Sequence, residues 1–167
     1  MVALRIKDIK TFMAKLLNSE IFDGFLVEEV QIQTYNNFVI DGHMNRSFFT
    51  KEELEDPEIF PYEYSAWKII KPLVFQIIKG KKVPGFLKIT LLLAPEKACD
   101  LLEKKEAANY IDQLKAFVLT VKFDSGGLLL TSGTSFTTFI MDKTPDNIWD
   151  QALCKFLTHH QIDYDVN

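Results

Sequence analysis

The chain has 167 residues, of which 47% are apolar and 25% charged, and its formal net charge is −4. This length and balance are typical of one globular domain, and we expect residues 1–167 to form it. Charges interrupt the N-terminus before a signal peptide could form, and the apolar run 86–94 contains Lys88 and is far shorter than a spanning helix. We therefore expect a cytoplasmic protein that neither enters a membrane nor is secreted.

The sequence carries no motif for a cofactor or a metal ion. Cys99 and Cys154 each stand alone, which is typical of reduced thiols rather than of a disulfide framework. His159, His160 and Asp163 are candidate metal ligands, but adjacent helical residues point about 100° apart and would not face one ion. We expect a frayed polar C-terminus there, no structural zinc and, without a glycine-rich phosphate loop, no nucleotide cofactor.

The first half of the chain predicts a strand, a helix and a hairpin. Apolar spacing favours a helix that Asp8 caps and that ends near Asn18. The pair Asn36-Asn37 is typical of a tight turn, because asparagine tolerates a positive φ. The strands expected around these features are residues 2–6, 26–34 and 38–41.

Two more helices are predicted in the middle of the chain. Thr50 and Glu53 have the spacing of a capping box, so a short helix should begin after Thr50. The apolar stripe of residues 65–79 predicts an amphipathic helix, either kinked at Pro72 or beginning near it. Gly80 is placed to end this helix as the residue after its C-cap.

The second half predicts further strands and two helices. A central strand should span 86–93, a helix should begin at Pro95, and an amphipathic helix should follow Thr144-Pro145. Short turns predict a meander of three strands: residues 114–123, 128–132 and 135–140, with Gly133-Thr134 as the second turn. We therefore predict an α+β fold with an antiparallel sheet of a hairpin and a meander, helices mainly on one face, and a C-terminal amphipathic helix.

Catalytic motifs are absent, and one polar pair remains a candidate. Asp41 and His43 share a face if their strand continues, so they could form an acid–base pair. They sit at a strand end, where a solvated pair needs no function. The 14 phenylalanines could line a cavity, but packing in a core explains them as well.

Charge is distributed unevenly along the chain. From residue 64 to 95 there are six lysines and no acid: Lys68, Lys71, Lys79, Lys81, Lys82 and Lys88. Such a basic patch on an acidic protein could bind an anion while the rest of the surface repels nucleic acid. Alternatively, the patch is an ordinary solvated surface, or the acidic segment 51–63 folds back against it. The end of the preceding helix also competes for the same cations.

Several short motifs follow one pattern along nearly the whole chain: Leu4, Ile6–Asp8, Phe12-Met13, Leu16-Leu17, the hairpin from Tyr35-Asn36 to Asp41-Gly42, Trp67-Lys68, Pro72, Phe75, Ile78–Lys82, Pro84, Phe86–Lys88, Thr131–Ser135 and Trp149-Asp150. This pattern resembles that of an uncharacterised bacterial protein family. The resemblance implies a single-domain protein of unknown function, and it brings no catalytic residue, ligand or partner.

The sequence therefore favours a non-catalytic binding or interaction domain, with the basic segment 68–88 as its contact surface. The partner could be another protein or a second copy of the chain. A weak anion or nucleic-acid binder is a second hypothesis, and the acidic pI of about 5.4 makes nucleic acid the less favoured ligand. A small enzyme with a polar cleft near Asp41 and His43 is a third.

Overall fold

The computed structural model describes residues 1–58 and 61–167. Their seven strands form one sheet: β1 Ala3–Ile6, β2 Phe25–Gln33, β3 Asn37–Asp41, β4 Phe86–Leu93, β5 Leu114–Asp124, β6 Gly127–Phe136 and β7 Tyr164–Val166. Five α-helices connect and flank them: α1 Ile9–Asn18, α2 Lys51–Glu55, α3 Trp67–Ile78, α4 Pro95–Lys104 and α5 Thr144–His159. The strand order is β3-β2-β4-β5-β6-β1-β7, and every neighbouring pair is antiparallel.

The helices pack mainly on one face of the sheet, which confirms the predicted α+β fold class. The buried residues of α1, α3, α4 and α5 join one apolar cluster with the inward residues of the strands. Alternate residues of a strand point to the same face of the sheet, so the inward strand side chains all face the helices. No helix of the described chain has both the length and the apolar character needed to cross a bilayer.

Both tryptophans lie in this core. Trp67 is fully buried at the start of α3, and its indole Nε1–H donates to the backbone oxygen of Leu16 over 3.0 Å. Trp149 of α5 stacks on Phe117, with the ring centroids 5.3 Å apart. Its Nε1–H donates to the backbone oxygen of Val118 over 2.8 Å, so α5 is tied directly to β5.

Local capping signals fix several helix ends at the predicted places. The Asp8 carboxylate accepts from the backbone amide of Thr11 at the start of α1. Thr50 and Glu53 exchange both hydrogen bonds of a capping box at the start of α2. Helix α3 runs through Pro72 and ends one residue before its C-cap, so Gly80 follows that cap with a φ of 149°.

Two sequence-based expectations are wrong. Gly133-Thr134 is no turn, because β6 continues through it and Gly133 pairs with Val118 of β5. The second neighbour of β6 in the sheet, beside β5, is β1 from the other end of the chain. The C-terminus is not frayed either: Ile162 is buried, and β7 pairs with β1 as an edge strand.

The face of the sheet opposite the main core, called the second face here, carries three cross-strand rows. These rows are Gln31–Lys88–Lys122–Leu129–Arg5, then Glu29–Thr90–Thr120–Thr131–Ala3, then Leu26–Leu92–Val118–Gly133. The second face therefore changes from basic through hydroxylated to apolar along the strands. A register shift in β2 between Val27 and Glu29 forms a bulge beside the apolar row.

Candidate functional site

Three of the six lysines of the predicted contact surface lie around one groove, called the basic groove here. The segment after α3 brings Lys79, Lys81 and Lys82 around a cavity of about 410 Å³, which the turn after β2 closes with Thr34 and Tyr35. All three lysines are exposed, and within residues 1–58 and 61–167 no carboxylate pairs with any of them. The described residues that line the groove include no acid. Its local charge is therefore positive although the chain is acidic.

The two lysines of α3, Lys68 and Lys71, lie near its start and face acids. Lys71 is largely buried, and its Nζ lies 2.5 Å from a carboxylate oxygen of Asp23 and 2.8 Å from the backbone oxygen of Ser19. Lys68 borders a separate cavity with several acids, including Glu58. Glu58 belongs to the acidic segment predicted at 51–63, in which residues 59 and 60 lie outside the described residues. Eleven residues separate Lys68 from Lys79, which is roughly 16 Å along a helix.

Lys88 lies on the second face of the sheet, away from α3. Its neighbours Leu87 and Ile89 are buried in the main core, so its side chain points to the opposite side. It pairs across the strands with Gln31 and Lys122. The six lysines therefore divide into three locations, and only the groove gathers more than two of them.

Asp41 and His43 form the polar pair that their spacing indicated. Nδ1 of His43 lies 2.9 Å from Oδ1 of Asp41, and both side chains are exposed. Hydrogen bonds from the backbone and the ring of His43 hold the pKa of the Asp41 carboxyl below its usual range. The His43 ring also packs against Tyr64, with centroids 4.4 Å apart. The pair therefore contacts Tyr64, which lines two cavities, but neither Asp41 nor His43 is among the described residues that line those cavities.

The two histidines at the end of α5 have contacts of another kind. The His160 ring packs on Phe156 and on His159, with centroid distances of 4.7 and 4.9 Å. Burial lowers the pKa of His160, and the neighbouring His159 and Lys15 lower it further. In the described part of the chain, no three His, Cys, Asp or Glu side chains are grouped so that they could hold a metal ion.

A cavity of about 450 Å³ on the second face was not predicted from the sequence. Leu26, Leu92 and Ala116 form a small apolar cluster at its floor, and Tyr62 and Tyr64 pack against that cluster. The two tyrosines come from the irregular segment before α3, which pairs with residues 26 and 43 through isolated bridges. Polar groups also line the cavity, which therefore has the mixed character of a ligand site.

Comparison with known proteins gives a family and no activity. The profile of DUF5721, a family of unknown function, matches residues 15–165. The chain belongs to this family. No curated protein and no solved structure matches it significantly. Membership of DUF5721 confirms the resemblance to an uncharacterised family.

The basic groove of this DUF5721 chain has a sequence signal, whereas the cavity on the second face has none of its own. Lys79, Lys81 and Lys82 are contiguous enough to stand out as a run. Tyr62 and Tyr64 lie far in sequence from the strands that complete the cavity, and only the register of the sheet brings them together.

Proposed function

We propose that residues 1–167 form one non-catalytic binding domain, which takes a small phosphate-bearing ligand in the basic groove. The main support for this proposal is that Lys79, Lys81 and Lys82 all lie around one groove whose described lining residues include no acid. None of the three lysines has a carboxylate partner in the described chain. Ammonium groups bind phosphate as point charges and need no fixed fork geometry. The net charge of −4 keeps anions away from the rest of the surface and favours this position.

The groove has an apolar side as well. The Tyr35 ring is 84% exposed, and Val83 is 74% exposed beside it. Exposed apolar groups next to lysines suit a ligand whose phosphate is attached to a planar or apolar part. The hydroxyl of Thr34 is buried and has no hydrogen-bond partner in the described residues. Rotation about χ1 would allow it to donate to a ligand oxygen, which would remove the cost of an unsatisfied group.

The expected affinity is weak, because the lysines are exposed. An ion pair at about 4 Å in water contributes roughly 1 kcal/mol, so three lysines contribute roughly 3 kcal/mol. Stacking on an exposed ring adds about 1 kcal/mol more. Association also costs translational and rotational freedom, so this gross sum of about 4 kcal/mol sets a dissociation constant no tighter than about 1 mM at low salt.

A titration at two salt concentrations tests the proposal. Tripolyphosphate and a short single-stranded DNA are titrated into the protein, and binding should weaken steeply as salt rises. The double variant Lys81→Glu/Lys82→Glu should abolish it. The matched control is Lys104→Glu/Lys105→Glu, which makes the same charge change at two exposed lysines beside the end of α4. Equal loss in both variants, or no binding by the wild type at low salt, would refute the groove as a site.

We further propose that the protein is bacterial and cytoplasmic. We also propose that another protein, or a second copy of this chain, contacts it near the basic groove. The two isolated thiols, Cys99 and Cys154, suit a reducing compartment. The ligand is proposed to be a small molecule and not nucleic acid, because an acidic surface repels an extended polyanion. DNA that binds as tightly as tripolyphosphate would overturn that choice.

A second candidate function is acid–base chemistry at Asp41 and His43, which their 2.9 Å contact favours. A carboxylate on Nδ1 orients the ring so that Nε2 is available as a base. Hydrolysis of p-nitrophenyl acetate by wild type and by His43→Ala tests it. A rate in wild type at least about ten times that of the variant is expected of a working base, and equal rates would exclude it.

A further inference from the structure

The cavity on the second face has a fixed aromatic wall. Tyr62 donates its phenol hydrogen to a carboxylate oxygen of Glu96 over 2.5 Å. The Tyr64 ring is held by the His43 ring, whose position depends on Asp41. Both rings are therefore set before any ligand arrives, which lowers the entropy cost of binding.

Backbone pairing holds the same wall against the sheet. The amide of Ser65 donates to the oxygen of Gly42, and the amide of Gly42 donates to the oxygen of Glu28. A side chain at Gly42 would place its Cβ 1.8 Å from the backbone oxygen of Val27, so only glycine permits this approach. The tyrosines are thus supported by main-chain bonds and not by a free loop.

Carboxylates give one part of the cavity a negative character. Glu28, at the bulge of β2, and Glu63, next to Tyr64, both line the cavity. Neither has an ion pair or a side-chain hydrogen bond in the described residues. Burial raises the pKa of the Tyr64 phenol, and the nearby charges of Glu28, Glu63 and Asp41 raise it further. Among the described residues that line this cavity, Lys115 is the one basic group.

We infer that this cavity binds an amphipathic organic cation, which has an aromatic or branched apolar body and one ammonium group. The apolar body would lie on Leu26, Leu92 and Ala116, and the ammonium group would lie between the tyrosine rings and Glu28 and Glu63. Aromatic faces attract cations, most strongly where water is partly excluded. A volume of about 450 Å³ is within the range of small-molecule sites. This inference does not depend on the phosphate ligand of the basic groove, since the two sites share no lining residue.

Three probes of matched size separate charge from shape. 2-Phenylethylamine is the cation, 2-phenylethanol the neutral analogue and phenylacetate the anion, each titrated by NMR with the tyrosine ring signals as the readout. The cation should bind about ten times more tightly than either analogue and should shift the signals of Tyr62 and Tyr64. Equal binding of the three probes would overturn the inference, and so would shifts confined to other tyrosines.

Variants then test the residues. Glu28→Gln/Glu63→Gln keeps the shape and removes both charges, so the preference for the cation should fall at least fivefold. The matched control is Glu103→Gln at an exposed position of α4, which should change nothing. Ala116→Met should fill the cavity and block the binding of all three probes. If Ala116→Met fails to fold, Ser135→Met on the same wall is used in its place. If the double variant keeps the wild-type preference for the cation, the proposal is wrong.

Discussion

Lys71 provides a test that separates a structural lysine from a binding lysine. The replacement Lys71→Met keeps most of the apolar stem and removes the charge. It loses the ion pair to Asp23 and the hydrogen bond to the Ser19 backbone oxygen, which have lengths of 2.5 and 2.8 Å. The two side chains of the pair are 14% and 24% exposed, so they lie between a surface pair and a buried one. Surface pairs contribute up to about 1 kcal/mol, whereas breaking a buried pair costs about 3–5 kcal/mol.

We therefore expect a coupling of about 1–2 kcal/mol between Lys71 and Asp23. The lost hydrogen bond adds about 1 kcal/mol, so Lys71→Met should lower the free energy of unfolding by about 2–3 kcal/mol. Urea unfolding of wild type, Lys71→Met, Asp23→Asn and the double variant measures the coupling by a double-mutant cycle. The affinity for tripolyphosphate should stay within about twofold of wild type, because Lys71 lies outside the basic groove. A coupling below about 0.3 kcal/mol would show that the Lys71–Asp23 pair does not stabilise the fold, and a lost affinity would show that Lys71 takes part in binding.

Three further predictions concern the core and the second face. Trp149→Ala should lower the free energy of unfolding by about 3–5 kcal/mol in a chemical melt, and a loss below about 1 kcal/mol would place the ring outside the core. In an NMR titration, Tyr64 should lose its phenol proton at higher pH than an ordinary tyrosine, and Glu28→Gln should lower the pKa of Tyr64. An unchanged pKa in Glu28→Gln would show that the Glu28 charge does not act on the Tyr64 phenol. Because the folded state holds this proton more tightly than the unfolded state, the Tyr64 contribution to stability should decline as pH rises past 10. Gly42→Ala should cost about 1–3 kcal/mol, because its Cβ would overlap a β2 carbonyl. Gly85→Ala should be nearly neutral, because its Cβ would lie at an ordinary contact distance of 3.9 Å from the backbone oxygen of Gln33.

Elements with a local signal were predictable from the sequence. The capping box of Thr50 and Glu53, and the amphipathic stripes that bury Trp67 and Trp149, depend on residues within one or two turns. Such patterns do not need the rest of the fold. The fold class followed from these helices and from the alternation in the strands.

The strand order depends on contacts that no local pattern records. Gly133 looks like a turn residue, but a glycine is also accepted in a strand, and here it pairs with Val118. The short strand β7 of three residues lacks enough length for an alternation to be seen. Its partner β1 lies at the opposite end of the chain. Sequence patterns could not provide either assignment.

The candidate sites divide in the same way. The lysine run at 79–82 was visible in the sequence, whereas the separate positions of Lys71 and Lys88 followed from helix and strand geometry. The second-face cavity combines a β2 bulge, two tyrosines of an irregular segment and side chains of β4 and β5. Its lining residues come from five separate stretches of the chain: β2, the irregular segment, β4 with the start of α4, β5 and β6. Only the tertiary structure could bring them together.

The most direct test of the basic groove is an amide NMR map of tripolyphosphate binding at low salt. If the groove binds the ligand, the shifts should saturate at Lys79, Lys81 and Lys82 and at the facing residues Thr34 and Tyr35, and they should vanish at moderate salt. Shifts spread evenly over the exposed lysines of the chain, or no shifts at all, would contradict it.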